Sequence, residues 1–107
     1  MSGAASQLRE RVTIEQRMTT ADAFGGQEVS WETLATVFAE VVPMSASVRE
    51  RSIADQVKAI AGYRVRMRTR GDVDASMRLQ WNGRMLQIHS LHAHGAMMEF
   101  LTYEEQL

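Results

Sequence analysis

A chain of 107 residues, 45% hydrophobic and 23% charged, has the length and composition of one compact domain with a single core. It contains no cysteine, which excludes disulfide scaffolds, thiolate nucleophiles and cysteine-ligated zinc or iron-sulfur sites. Twelve Lys and Arg against thirteen Asp and Glu give a net charge of -1, so there is no general attraction for nucleic acid or anionic lipid and any basic surface must be local.

Residues 1–7 are expected to form a flexible arm. They hold no apolar stretch of signal-peptide length, and no later segment has an apolar run that could cross a bilayer, so the expectation is a protein made in the cytosol with no membrane partner. Arg11-Val-Thr-Ile-Glu-Gln16 alternates apolar and polar, the period of a half-buried strand, with Val12 and Ile14 facing the core. Met18 to Ser30 holds Thr19, Thr20, Asp22, Gly25 and Gly26 without a sustained period and reads as a long loop after strand 1.

Ala35 to Val42 is apolar apart from Thr36 and Glu40, as in a second strand buried on both faces and ended by Pro43. Ser45 or Ser47, with Glu50 in capping-box position, then predicts a helix that carries Val48, Ile53, Val57, Ile60 and Ala61 on one face and stops at Gly62. From Tyr63 onward the alternation is strict. Tyr63, Val65, Met67 and Thr69 interleave with Arg64, Arg66, Arg68 and Arg70, which places four guanidinium groups along one side of a strand.

Gly71-Asp72 marks a turn, and Asn82-Gly83 between two apolar-alternating runs predicts a two-residue hairpin with Leu79 opposite Leu86. Ala93 to Gly95 turns the chain again, and Ala96 to Tyr103 reads as the last strand. The expected fold is mainly β: a small barrel or sandwich of about six strands, with one helix inserted between strands 2 and 3 and a long loop after strand 1.

His89, His92 and His94 are the only histidines, but His89 falls inside a strand and His92 and His94 at its end, with no adjacent carboxylate, which argues for solvated side chains rather than a metal site. No acid-base pair, nucleophile elbow or phosphate-cradling loop is present, so no enzyme activity, cofactor or catalytic residue is expected. The arginine row could follow a phosphate backbone. An oligonucleotide-binding face would also carry stacking aromatics among its arginines, however, and here Tyr63 falls on the opposite side. Pairing with carboxylates of a neighbouring strand or subunit is the stronger reading, and a small β-barrel nucleic-acid-binding module is the alternative.

Leu8 to Gln16, the Asp22-Ala-Phe-Gly-Gly26 segment, Trp31 to Val42, Pro43 to Glu50, Tyr63 to Arg68, Met77-Arg-Leu79, Asn82-Gly83 and Gln87-Ile88 together resemble the phage head-tail joining family in order and spacing. That family comprises adaptor, stopper and head-closure proteins of phages, prophages and gene transfer agents. The resemblance implies one connector domain over 1–107, a structural subunit of a homo-oligomeric ring beneath the portal. Portal or adaptor proteins would lie on its head side and tail-terminator or tail-tube proteins on its tail side, with DNA passing through the channel. It also implies assembly in the cytoplasm followed by residence at the head-tail junction. On this reading Phe24, Gly25, Gly26 and Trp31 are expected at an assembly contact or the axial channel. Arg64, Arg66, Arg68 and Arg70 are expected to face a neighbour or the channel.

Overall fold

A computed structural model describes residues 8–53 and 56–104, and within 45–60 it describes the backbone alone. Six strands follow one another: β1 (Glu10–Ala21), β2 (Gln27–Ile53), β3 (Gln56–Arg68), β4 (Arg78–Trp81), β5 (Arg84–His94) and β6 (Met97–Glu104). Every pairing is antiparallel, and the order β1-β2-β3-β6-β5-β4 returns to β1 to close a barrel.

Closure follows from period-2 patterning, because every strand turns one apolar side toward a common axis. Val12 and Ile14 of β1, Ala39 of β2, Val65 and Met67 of β3, Leu79 of β4, Leu86 of β5 and Met98 and Phe100 of β6 are buried together. The alternation that predicted the inward positions on the first and third strands, and the shared apolar face of the Asn82-Gly83 hairpin, is therefore correct. Asn82 and Gly83 both have positive φ, 52° and 76°, and set Leu79 opposite Leu86, as their dipeptide requires.

The ends of the barrel are closed differently. At one end residues 69–77 fold back so that Val73 and Met77 are buried, with Thr69 Oγ1 donating to the Gly95 carbonyl at 2.8 Å and Thr69 N to that of Ala96 at 2.9 Å. At the other, the Tyr63 hydroxyl accepts from Arg84 Nη1 at 3.1 Å and donates to Glu104 Oε1 at 3.3 Å. The Tyr63 ring lies 5.3 Å from that of Trp81.

Three expectations are corrected. Met18 to Ser30 is not a long loop. β1 runs to Ala21 and β2 starts at Gln27, with rungs from Arg17↔Trp31 to Ala21↔Gln27, so only residues 22–26 turn. Nor does a helix stand between strands 2 and 3: the described backbone there continues both strands, with rungs from Arg49↔Ile60 to Ile53↔Gln56. The neighbouring barrel rungs, Ala39↔Met67 to Met44↔Gly62, already hold the two chains side by side. Extending that ladder adds backbone hydrogen bonds without a new nucleation step, whereas a helix would need its own costly nucleus.

Pro43 does not end β2. It pairs with Tyr63, beyond the last β1 rung at Glu10↔Ala39, where β2 has one open edge and can accommodate a residue without an N–H.

β2 thus belongs to two hairpin arms that leave opposite ends of the barrel. The β1–β2 arm leaves at the end closed by residues 69–77, and the β2–β3 arm leaves at the Tyr63–Trp81 end. The radius of gyration, 15.7 Å, exceeds the ~13 Å of a compact chain of this length, as two projecting arms demand.

Candidate functional site

The tip of the β1–β2 arm is tightly built. Asp22 Oδ1 accepts from the backbone N–H groups of Phe24 and Gly26, each at 2.8 Å, and Asp22 N donates to the Gly26 carbonyl at 2.9 Å. Gly25 sits at φ 82°, a left-handed position that a side chain would strain. This Asx-type turn fixes the backbone and holds Phe24 at the apex with 97% of its surface exposed. Its ring is almost wholly in contact with water and adds no buried surface to its own fold.

Trp31 is at the root of the same arm. The Arg78 guanidinium stacks on its ring at 4.1 Å from the centroid while Arg78 Nε donates to Glu15 Oε1 at 2.7 Å. Both ion-pair partners are mostly buried, so β4 is bound to β1 and β2 where the barrel ends and the arm begins. Trp31 therefore acts as a half-buried anchor of the arm rather than as part of its exposed tip.

Arg64, Arg66 and Arg68 share the outer face of β3, and Arg70 lies past the strand in the following loop. Carboxylates meet three of the four. Arg66 lies in register between Glu40 of β2 and Glu99 of β6, with Nη2 3.5 Å from Glu40, and Arg64 Nε is 3.9 Å from Glu99. Arg70 makes a two-pronged pair with Asp72, at 2.9 and 3.1 Å, which holds the Asp72 carboxyl below the usual carboxylate range, chiefly through the hydrogen bond. No ion pair to Arg68 occurs among the described residues.

The expectation that Ala35 to Val42 is buried on both faces is corrected here. Val37, Ala39 and Val41 pack on the core, whereas Phe38 points outward with 54% of its surface exposed and the Arg11 guanidinium 5.4 Å from its ring. Phe38, together with Val37, Arg68 and Arg70, lines a cleft of about 220 Å³. Glu40, two residues on, shares the parity of Phe38, so period 2 could have marked this residue as outward-facing.

His92 stands opposite Glu99 across β5 and β6, and His94 opposite Met97. No three metal-ligating side chains gather among the described residues.

This all-strand barrel with projecting hairpins can be compared with known proteins. Residues 4–104 match the model of the phage head completion protein family. The chain belongs to that family. Its fold is similar to a chain in the virion of a native gene transfer agent particle, with a TM-score of 0.73, 20% identity, and 92% of this chain and 96% of the other covered. It is also similar to the solution structure of protein SF1141 from Shigella flexneri 2a, with a TM-score of 0.72, 26% identity and coverage of 97% and 96%. No curated protein matches the chain. Membership in the head completion family makes this a structural component of a phage-type particle rather than a catalyst.

Proposed function

We propose that this head completion protein is a single-domain ring subunit of the head-closure, or stopper, layer, joining the DNA-filled head to the tail beneath the portal. Portal or adaptor proteins are its head-side partners and tail-terminator or tail-tube proteins its tail-side partners. It assembles in the cytoplasm and remains at the head-tail junction.

The observation that carries this reading is the pair of hairpin arms on one strand, projecting from opposite ends of a closed barrel. A ring subunit needs unlike surfaces for its lateral neighbours and for the layers above and below. A barrel alone has no open sheet edge to offer, so the arms supply these surfaces. The Phe24–Gly26 tip belongs to such a contact, and Trp31 at the root anchors the arm that carries it. Arg64 and Arg66 are neutralised by Glu99 and Glu40, which suits a wall past which DNA slides without being gripped, whereas Arg68 and Arg70 lie beside Phe38 and suit a contact with a neighbour.

The same neutralisation weighs against the nucleic-acid-binding alternative, which would leave the guanidinium groups to phosphates. Cryo-electron microscopy of purified particles, with the protein identified by mass spectrometry, tests the assignment. A ring of this fold between portal and tail is the expected result. Particles that contain portal and tail proteins but lack this chain would overturn it.

A further inference from the structure

The molecule carries an exposed aromatic knob and, elsewhere, an open aromatic cleft, and we propose that they fit each other between copies: the Phe24 tip of one chain seats against Phe38 in the cleft of the next. This inference rests on the ring reading above and names its lateral contact.

The knob needs no ordering on binding, because Asp22 already holds the Phe24 and Gly26 amides. Little conformational entropy is then lost when it docks. The cleft, at about 220 Å³, has room for a phenyl ring; a cavity of roughly 150 Å³ accepts benzene. Phe38 forms its exposed apolar floor, and Arg11 and Arg68 flank that ring on the neighbouring strands. Aromatic and arginine side chains together are the chemistry that most often anchors a protein interface.

Charge complements shape. Between Met18 and Ser30 the only charged residues are Asp22 and Glu28, so the knob is acidic, while Arg68 lines the cleft and the Arg11 guanidinium stands 5.4 Å from the Phe38 ring; Arg70, also on the lining, is already paired with Asp72. Acidic tip and basic cleft attract each other and repel their own kind, which selects head-to-tail over tip-to-tip or cleft-to-cleft contacts. Within one chain they cannot meet: Phe38 lies eleven steps along β2 from Gln27, roughly 35 Å at ~3.3 Å per residue. Two different patches on every copy make a heterologous contact, which closes into a ring when the rotation allows.

The test uses the absence of native cysteines. Two single variants, A23C beside the knob and T36C beside the cleft, are mixed and treated with a short thiol-to-thiol cross-linker, while sedimentation velocity follows self-association of the unmodified protein and of F24A and R68E. The expected result is a 23-to-36 cross-link between copies, with association weakened about tenfold or more by F24A, whose melting curve stays that of the parent. R68E should weaken association as well and flatten its salt dependence.

Oligomers that form without this cross-link and are unaffected by F24A would overturn the contact yet leave the ring reading standing, because lateral contact would then lie elsewhere. A chain that stays monomeric to about 1 mM would also overturn this contact, and microscopy of particles would judge the ring on its own. Loss of particle assembly in F24A without any 23-to-36 cross-link in wild-type-like particles would assign the knob to a different protein.

Discussion

The barrel and the β1–β2 arm are built from the same two strands yet are held by different forces. Inside the barrel, Val12 and Ile14 of β1 and Ala39 of β2 are wholly buried against Leu79, Leu86 and Phe100. A few residues further on, everything from Arg17 to Ser30 is exposed, and the ladder alone, with its Asx turn, keeps the hairpin together. An isolated two-stranded hairpin is marginal in water. The arm is therefore stable as an outgrowth of the barrel, which fixes its register and twist at the root, and its exposed apolar residues are available for binding rather than folding.

The largest effect that could break this contrast is truncation of a large aromatic in each region. Phe100→Ala should lower the unfolding free energy by about 3–5 kcal/mol, since it empties the centre of the barrel. Phe24→Ala should change it by less than ~0.5 kcal/mol, as an exposed residue does. Urea denaturation of both variants decides the matter, and a comparable loss in each would mean that the arm is part of the cooperative core.

Next in size is the root. Arg78→Ala removes the partner of Glu15 and uncovers Trp31, and it should cost about 1–3 kcal/mol with a red shift of Trp31 fluorescence, read in a Trp81→Phe background. Unchanged emission would show that the stacking does not order the arm. A smaller and more local effect is expected of Asp22→Ala: hydrogen exchange at the Phe24 and Gly26 amides should accelerate while the barrel amides keep their protection.

The same contrast explains what could be read from the sequence. Strict alternation marked Val12, Ile14, Tyr63, Val65 and Met67 as inward because each strand there has one dry face, and Asn82-Gly83 set its hairpin by backbone chemistry alone. Met18-Thr-Thr-Ala21 shows no alternation because neither face of the arm is buried, so a genuine strand looked like a loop. Residues 45–61 carried cap-like serines and loosely helical apolar spacing, but the register inherited from the barrel prevailed over that local preference. Of the candidate site, Phe24 and the arginines were legible as residue types. Their separation, with the knob on one arm and the cleft on the wall, depends on which strands close the barrel, and pairing across 50 or more residues leaves no local trace. Phe38 was hidden in an apolar run whose second face proved to be open.

The smallest predicted effect concerns the barrel end from which the arm departs. Arg70 and Asp72 are joined across the loop that places Val73 under cover, and the Asp72 carboxyl is held below its ordinary range by that hydrogen bond. A carboxylate whose folded pKa is depressed favours the folded state above its unfolded value, and this contribution disappears as pH falls through the folded value. Acid should therefore loosen this loop only below the usual carboxylate range. A carbon-detected NMR titration should show Asp72 protonating later on acidification than a model aspartate, and Arg70→Ala should return it to the ordinary value. Because the pair is exposed to solvent and screened by salt, the change in global stability should be slight. If Arg70→Ala also altered amide exchange at Phe24, the loop and the arm would be mechanically linked and the boundary between the two regions would have to be redrawn. Confinement of the change to Val73 and its neighbours would place that boundary at the Arg78–Glu15 pair, where the barrel stops burying its side chains and the arm starts presenting them.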